Sequence, residues 1–238
     1  MTPPPAIAIS GGSRGIGRAI AEVFGQQGYT VFVAARTPAQ LQALAAGWPA
    51  TCPTSRLVTF CADLATEAGC LAWAAHIDSQ VSSLQVLVHN LGQFAPGDLL
   101  TGPPPQLAHF FATNVFSAHY LTQALLGRLR EARPGHLVTI GSVATTDWPA
   151  PLHAYALSKY ALEAWHRGVR KELAGTAVKT TLVRPGATLT SSWDGIAVDP
   201  ATLLTPERVA QVVAQVVAAT EDFEEITVRP LVAGSDKH

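Results

Sequence analysis

Short apolar segments alternate along the chain with longer segments in which apolar residues recur at helical spacing. Most of the short segments are apolar throughout, which is typical of parallel strands covered on both faces. The predicted strands are Ala6–Ile9, Thr30–Ala34, Leu57–Cys61, Val86–His89, His136–Ile140, Lys179–Arg184 and Glu225–Arg229. The predicted helices are Gly15–Gln27, Pro38–Ala46, Thr66–Ser82, Pro105–Arg130, Tyr155–Leu173 and Thr205–Thr220. This alternation predicts an α/β fold, a Rossmann-type doubly wound parallel sheet of about seven strands flanked by helices, in a single domain spanning residues 1–238.

Two connecting segments stand apart from this pattern. Gly47–Arg56 contains two prolines and a glycine, and is predicted to be a simple connector. Gly186–Leu204 follows a predicted strand end and carries Trp193 and Asp194. Open α/β sheets bind their ligands beyond the carboxyl ends of the strands, so this segment is placed to close over a substrate.

Composition narrows the class of partner. Hydrophobic residues make up 48% of the 238 residues and charged residues 14%, and the net charge of −1 offers no basic surface to nucleic acid or a membrane. A small-molecule partner is therefore predicted. The chain starts without the basic and apolar segments of a signal peptide, and no apolar run is long enough to span a bilayer, so we expect a cytoplasmic protein.

The cysteines are Cys52, Cys61 and Cys70. They form no C-x-x-C pair and no histidine cluster accompanies them, which argues against a zinc site and against a disulfide framework. We expect buried free thiols and no metal.

A glycine-rich turn joins the first predicted strand to the first predicted helix. Gly11, Gly15 and Gly17 follow the spacing G-x-x-x-G-x-G. Glycine allows a tight turn and a close backbone approach, and the free N–H groups of the following helix attract a pyrophosphate. In this strand-turn-helix context the turn is a predicted dinucleotide site.

The residue after the second strand predicts which dinucleotide binds. Enzymes that prefer NAD usually carry an acidic side chain there for the ribose hydroxyls. This chain carries Arg36, whose planar guanidinium suits a 2′-phosphate, and Arg14 in the glycine turn adds a second cation. The sequence therefore predicts NADPH, with two ordinary surface arginines as the alternative.

An acid–base pair is predicted at Tyr155 and Lys159, four residues apart in a helix, with Ser142 after an earlier strand. Positions i and i+4 share a helix face, so the ammonium group is expected near the phenol. An unperturbed phenol, with a pKa of about 10, is a poor acid–base group at neutral pH. A neighbouring cation is expected to lower that pKa towards a usable range.

Several motifs occur together in the order and spacing of one family. They are the glycine turn, Asn90 with Gly92, Asn114, Ser142 and Tyr155-x-x-x-Lys159. On these residues the chain resembles the short-chain dehydrogenase/reductase family over nearly its full length. The resemblance implies NAD(P)-dependent chemistry on a carbonyl or an alcohol.

The resemblance also implies a role for each member of a catalytic set. Tyr155 would protonate the carbonyl oxygen during reduction, and Ser142 would orient that carbonyl. Lys159 would lower the pKa of the phenol and hold the nicotinamide ribose, while Asn114 would support a water chain that returns the proton through Lys159. Hydride transfer itself belongs to the cofactor. Taken singly, each of the four residues also has an ordinary structural explanation.

The cofactor contacts implied by the resemblance extend along the chain. Asp63-Leu64 resembles the pair that contacts adenine, with a capping or turn aspartate as the alternative. The segment from Pro185 to Thr190 resembles the P-G-x-x-x-T motif that meets the carboxamide. The full expected set is Gly11, Ser13, Arg14, Gly15, Ile16, Gly17, Arg36, Asp63, Leu64, Asn90, Gly92, Tyr155, Lys159, Pro185, Gly186, Thr188 and Thr190.

Some positions depart from the family pattern. Ser10 replaces the usual threonine before the glycines, and the sequence from His89 to Gly92 replaces the common N-N-A-G. Leu91 is bulkier than alanine beside the expected nicotinamide, which either reshapes the pocket or only adjusts the backbone. His89 is expected to be a core histidine rather than a catalytic one.

The expected substrate pocket contains two tryptophans, Trp148 and Trp193, whose flat apolar surfaces would sandwich a planar ring; the alternative is that they are interior or interface aromatics. The predicted pocket residues are Leu91, Gln93, Val143, Trp148, His153 and Trp193. Two short stretches, Glu224–Pro230 and Ser192-Trp193, resemble bacterial sepiapterin reductase-like members of the family. A pterin with a dicarbonyl side chain would suit such a site with a carboxylate such as Asp194.

Two other functions stay open on the sequence. A 3-oxoacyl-[acyl-carrier-protein] reductase needs a basic rim for an acidic carrier, which Arg128, Arg130 and Arg133 would supply unless they only end a helix. An NADPH-binding regulator without turnover would keep the glycine turn and lose part of the catalytic set, whereas this chain keeps all of it.

A stripe of mostly small residues on the helix from Tyr155 would let another helix approach closely. It comprises Leu157, Ala161, Ala164 and Gly168. The family resemblance implies a homodimer or homotetramer through this helix and the long helix before it, with packing inside one chain as the alternative.

Overall fold

Seven parallel strands form one sheet in a computed structural model that describes residues 3–193 and 198–231. The strands are β1 Ala6–Ser10, β2 Thr30–Ala35, β3 Leu57–Cys61, β4 Val86–His89, β5 Gly135–Ile140, β6 Val178–Pro185 and β7 Glu225–Val228. Their order is β3-β2-β1-β4-β5-β6-β7. The direction of winding therefore reverses between β1 and β4, where such sheets bind their ligands. The predicted fold class is confirmed.

Helices cover both faces of the sheet. They are α1 Gly15–Gln26, α2 Pro38–Thr51, α3 Glu67–Asp78, α4 Pro104–Phe111, α5 Ser117–Ala132, α6 Ala144–Asp147, α7 His153–Glu172 and α8 Pro206–Ala218. Alternate residues of β1 show how the two layers form. Ile7 and Ile9 pack with α1, α2 and α8, whereas Ala6 and Ala8 pack with α3, α5 and the C-terminal part of α7. Full burial of an isoleucine side chain such as that of Ile7 or Ile9 contributes about 1.5–3 kcal/mol.

The end of α2 differs from the prediction. The helix continues to Thr51 through Pro49, although the sequence predicted a connector from Gly47. A proline in the last turn removes one backbone hydrogen bond. Burial of Trp48 against α1, together with the hydrogen bond from its Nε1 to the Ser55 carbonyl at 3.2 Å, favours the extended helix.

The long helix predicted from Pro105 to Arg130 is one helical run with an interruption. A π-helical turn at Ala112–Phe116 separates α4 from α5, and Asn114 lies at its centre. A π turn widens the backbone locally and recurs at functional sites. The short helix α6 was not predicted, and α7 begins at His153, one half turn earlier than expected.

The prediction of buried thiols is right for two cysteines and wrong for the third. Cys52 and Cys70 are buried, and Cys61 is exposed. Cys61 is the last residue of β3, the strand at the edge of the sheet, so less of the fold covers it. Among the described residues, no helix is long and apolar enough to cross a membrane.

Candidate active site

The candidate site lies at the carboxyl ends of β1, β4 and β5, where the winding of the sheet reverses. Asn90 joins the first two of these strand ends. Its Nδ2 donates to the Ser10 carbonyl at 3.2 Å and to the Gly11 carbonyl at 3.0 Å. The hydroxyl of Ser10, in turn, accepts from the backbone N–H groups of Asn90 and Leu91.

The glycine turn is tight enough to exclude side chains. Gly11 has a φ of +68°, and a Cβ placed on Gly17 would lie 2.4 Å from both the Gly11 carbonyl oxygen and Asn90 Nδ2. Ser13 fastens the turn to α2 through a hydrogen bond from its Oγ to Gln40 Oε1 at 3.1 Å. Ile16 packs against the hydrophobic core between the sheet and helices α1, α2 and α8. The turn therefore presents backbone rather than side chains at the start of α1.

The two predicted phosphate-binding arginines lie in different surroundings. Arg14 is exposed, and its Nη1 donates to Ser191 Oγ at 2.8 Å. Arg36 follows β2 with an exposed side chain, for which the described part of the chain provides no hydrogen bond or ion pair. Its guanidinium is therefore available to a ligand.

The predicted adenine pair follows the neighbouring strand β3. Asp63 is exposed and its Oδ1 accepts from the Ala65 N–H at 3.1 Å, whereas Leu64 is buried in the core. Arg36 and Asp63 thus follow adjacent parallel strands.

Tyr155 lies on the buried face of α7 with 8% of its surface exposed. The rings of Phe94 and Phe110 meet it edge to face, with centroids at 5.1 and 6.4 Å. Burial raises the pKa of Tyr155 to about 12, and a side-chain hydrogen bond with Ser142 partly opposes this rise. The phenol is therefore held in its protonated form at neutral pH.

Lys159 follows one turn later and is also buried. Its Nζ donates to the Ile140 carbonyl at 2.9 Å, and burial lowers the pKa of the ammonium group to about 8 while Glu163 acts to raise it. The prediction that Lys159 lowers the pKa of Tyr155 is wrong for this structure. Desolvation of the phenol outweighs the hydrogen bond from Ser142, and the ammonium group is held by a backbone carbonyl.

Ser142 lies in the turn between β5 and α6. Its Oγ accepts from the Ala144 N–H at 3.1 Å, and its carbonyl accepts from Thr145 Oγ1 at 2.8 Å. The next residue, Val143, donates its N–H to the Pro185 carbonyl at 3.2 Å. The structure thus brings Ser142, Tyr155 and the end of β6 together.

Asn114 uses its side-chain amide to hold the segment after β4 against α7. Its Oδ1 accepts from the Gln93 N–H at 2.8 Å, and its Nδ2 donates to Ser158 Oγ at 2.9 Å. Gly92 lies beside this contact, since a Cβ there would come within 3.2 Å of Lys159 Nζ. The π turn, Gly92 and Lys159 therefore share one wall of the site.

The segment that follows β6 turns over the glycine turn. Thr188 donates its hydroxyl to the Gly186 carbonyl at 2.9 Å and pairs with Leu204 in an isolated bridge. A Cβ on Gly15 would lie 3.2 Å from Thr190 Cγ2. Together with the bond between Arg14 and Ser191, this contact places the predicted carboxamide segment opposite the predicted pyrophosphate turn.

The predicted pocket residues are only partly brought together. Leu91 and Gln93 follow β4 beside Asn114, and Val143 follows Ser142. His153 has its Nδ1 4.0 Å from Asp98 Oδ1.

The two tryptophans of the predicted pocket give little support to a ring-stacking site. The ring of Trp148 is partly exposed and lies 6.4 Å from that of Tyr160, on the outer side of α7. The side chain of Trp193 and the whole of Asp194 lie outside the described residues, so their place in the pocket stays a prediction.

The basic rim proposed for a carrier protein is not at the site. Arg128 and Arg130 lie in the last turns of α5 and Arg133 caps it, just before β5 begins. The site lies at the opposite end of the strands, beyond the carboxyl end of β5. Arg128 is also paired with Asp78 of α3. These cations close a helix end, where they oppose its dipole.

Sequence patterns did not predict the aromatic and apolar surroundings of Tyr155. Phe94 comes from the segment after β4, Phe110 from α4 and Leu152 from the start of α7. The sequence signal for Phe94 was its position two residues after the Asn90-x-Gly92 motif, which is expected at the site. Their contact depends on how three separate elements pack, which the periodicity of each does not specify.

Comparisons with known proteins agree with this geometry. A family model described as short chain dehydrogenase matches residues 5–200. The Bos taurus protein dehydrogenase/reductase SDR family member 11 is 32% identical over 189 residues, covering 75% of this chain and 72% of that protein. An NADPH-dependent 3-dehydrocapnine reductase of Ornithobacterium rhinotracheale is 32% identical over 192 residues, covering 78% of this chain and 66% of the reductase.

Solved structures share the fold over almost the whole chain. A metagenomic short-chain oxidoreductase in complex with NADP matches with a TM-score of 0.82 and 27% identity, over 96% of this chain and 97% of that one. The family model covers most of the chain, and the bovine protein is matched over more than two thirds of its length. The chain therefore belongs to the short-chain dehydrogenase family of oxidoreductases, as its motifs predicted.

Proposed function

We propose that the protein is an NADPH-dependent reductase that converts a ketone or aldehyde of a small molecule to the alcohol. One observation carries the proposal. A buried phenol, Tyr155, lies near the side chain of Ser142 at the carboxyl ends of the strands, with Lys159 one helical turn away. This arrangement offers a proton and a hydrogen-bond donor to one substrate oxygen.

The protein's own part in the reaction follows from these groups. When bound, NADPH would supply the hydride for the carbonyl carbon. Ser142 Oγ positions the carbonyl oxygen, and Tyr155 Oη gives its proton to that oxygen as negative charge develops there. Because burial raises the pKa of Tyr155 to about 12, the phenol carries a proton to donate at neutral pH. Lys159, one helical turn away and held by the Ile140 carbonyl, would bind the nicotinamide ribose, as the family resemblance implies.

The residues present fit an NADPH molecule. The glycines of the turn at the start of α1 leave backbone N–H groups open to a pyrophosphate, and the exposed guanidinium of Arg36 suits a 2′-phosphate. The metagenomic oxidoreductase in complex with NADP and the NADPH-dependent reductase among the relatives support the same cofactor.

The structure favours a reductase of small apolar carbonyl compounds over the other functions considered. The cluster around Tyr155, with Phe94 and Phe110, is apolar and aromatic. The basic residues required by an acyl-carrier substrate lie at the amino end of β5, away from the site. A sepiapterin-like substrate depends on Trp193 and Asp194 and stays a prediction, and the complete catalytic set argues against a regulator without turnover.

The deciding experiment compares Tyr155→Phe with Tyr160→Phe. Loss of the Tyr155 hydroxyl should reduce kcat for NADPH-dependent ketone reduction by roughly 10²–10⁴-fold, because the proton donor is gone. NADPH binding, followed by fluorescence titration, should persist. Tyr160 lies on the same helix with 50% of its surface exposed, so its variant should keep wild-type turnover. Full activity of Tyr155→Phe would contradict the proposal.

A further inference from the structure

A buried carboxylate lies behind the site and has no part in the reaction described above. Glu163 is on α7, one turn after Lys159, with only 2% of its surface exposed. The charged groups around it are Lys159 and Arg167 from its own helix, Arg184 from β6 and, through that arginine, Glu225 from β7. Burial of a charge is costly unless it is paired and hydrogen-bonded, so its partners matter.

Glu163 is held by contacts from three elements. Its Oε1 accepts from Arg184 Nε at 2.9 Å and lies 3.0 Å from Thr145 Oγ1, and its Oε2 lies 3.8 Å from Arg167 Nη2. The backbone also makes room for it, because a Cβ on Gly141 would come within 2.9 Å of Oε1. Any side chain at Gly141, the residue immediately before Ser142, would therefore collide with the carboxylate of Glu163.

The contacts lead directly to the catalytic groups. Thr145 Oγ1 is within hydrogen-bond distance of the Ser142 carbonyl, at 2.8 Å, as well as of Glu163. Arg184 immediately precedes Pro185, whose carbonyl accepts from the N–H of Val143, the residue after Ser142. Glu163 therefore links the Ser142 turn to the end of β6.

Glu163 is also the charge that opposes the desolvation of Lys159. Burial lowers the pKa of Lys159, and the negative charge of Glu163, four residues along the same helix, raises it. The backbone carbonyl of Ile140 accepts a hydrogen bond from the same ammonium group. Among the described residues, Glu163 is the charged group that offsets the burial of Lys159.

We propose that Glu163 is a positioning residue of the reductase, which holds the Ser142 turn through Thr145 and keeps the proton on Lys159 through its negative charge. The kinetic part of this proposal rests on the proposed function. The part that concerns Lys159 does not, since the charge state of the lysine is measurable without turnover.

The charge part is tested by NMR on protein labelled with ¹³C at the lysine side chains. The chain has four lysines, and Lys159→Met assigns the relevant signal. In Glu163→Gln, which keeps the shape of the side chain, the titration midpoint of Lys159 should fall by roughly one pH unit or more. Glu172→Gln removes an exposed carboxylate from the same helix and should leave the midpoint unchanged. An unchanged midpoint in folded Glu163→Gln overturns the proposal.

The positioning part is tested by kinetics. In Glu163→Gln, the alkaline decline of kcat for ketone reduction should move to lower pH, and Glu163→Asp should restore it because the charge returns. Thr145→Val should lower kcat roughly tenfold without weakening NADPH binding, since Ser142 loses its support. If Glu163→Gln yields no folded protein, Thr145→Val decides, and wild-type kcat in that variant overturns the proposal.

The two proposals fail in different ways. If the wild-type protein reduces no carbonyl compound, the proposed function fails while the Lys159 titration still decides the role of Glu163. If turnover is normal and the titration midpoint does not respond to Glu163, the proposed function stands and the positioning role fails.

Discussion

At the scale of single residues, the position after β2 is expected to decide which nucleotide the protein prefers. Arg36 has an exposed guanidinium that the described residues leave unpaired, so binding a phosphate breaks no existing ion pair. Arg14 differs, because its Nη1 is already bonded to Ser191. The preference for NADPH over NADH is therefore expected to depend on Arg36 more than on Arg14.

Replacement of Arg36 by alanine should weaken NADPH binding by about 10- to 100-fold, because charge-assisted hydrogen bonds to a phosphate increase the affinity by about that factor. NADH, which lacks the 2′-phosphate, should bind with nearly unchanged affinity. Fluorescence titration with both nucleotides measures the difference. Arg56→Ala is a suitable control, since this exposed arginine precedes β3, at the amino ends of the strands and away from the site. Equal losses for NADH and NADPH would show that Arg36 does not contact the 2′-phosphate.

Residue types and spacing predicted which side chains meet at the site but not their protonation. The i, i+4 spacing of Tyr155 and Lys159 correctly placed both on the buried face of α7. The direction of the Tyr155 pKa depends on how deeply Phe94 and Phe110 bury the phenol, and these residues come from distant elements. The same holds for Glu163, whose partners Thr145 and Arg184 are far apart in the sequence.

At the scale of elements, the strands were predictable because the sheet is covered on both faces. A segment such as Val86–His89 is buried at every position, so its apolar run matches the strand itself. Helix ends were harder to predict, because they depend on tertiary contacts. Trp48 extends α2 past a proline, and the π turn around Asn114 forms where the side-chain amide bonds to Gln93 and Ser158. Neither contact is visible in the periodicity of its own segment.

The glycine turn and α1 act as one element, which a single methyl group should disrupt. Gly17→Ala would place a Cβ 2.4 Å from the Gly11 carbonyl and from Asn90 Nδ2, so the turn must shift. We expect a loss of about 1–3 kcal/mol in the free energy of unfolding, measured by urea denaturation, and a loss of NADPH binding.

A glycine in an open position provides the control for Gly17→Ala. A Cβ on Gly127, in α5, would meet nothing within 4 Å. Gly127→Ala should therefore increase the free energy of unfolding by about 0.5–1 kcal/mol, because alanine favours the helix, and NADPH binding should not change. A Gly17→Ala variant that binds NADPH as tightly as the wild type would show that the turn is not the pyrophosphate site.

At the scale of the whole molecule, three buried histidines couple the stability of the fold to pH. His89 and His136 lie in adjacent strands and His166 in the helix packed beside them, and each ring hydrogen-bonds to a threonine hydroxyl. Burial lowers the pKa to about 3 for His89 and to about 4 for the other two. The imidazoles are therefore neutral in the folded protein at every pH near neutrality.

The sign of the pH effect follows from where protons bind. Below a pH of about 6.5 the histidines of the unfolded chain bind protons, whereas the buried histidines of the folded state do not. The free energy of unfolding therefore falls as the pH falls from about 6.5 towards 4. At pH 5.5 each buried imidazole accounts for a loss of about 1.4 kcal/mol. Above pH 7 this contribution to the pH dependence vanishes.

His89→Asn tests this coupling, because asparagine is the residue that the family pattern carries at this position. Urea denaturation at pH 7.5 and pH 5.5 should show a smaller loss of stability in the variant than in the wild type, by about 1.4 kcal/mol. His109→Asn, which changes an exposed ring on α4, should keep the wild-type difference. An identical loss in His89→Asn and the wild type would mean that protons taken up by other groups destabilise the fold in acid.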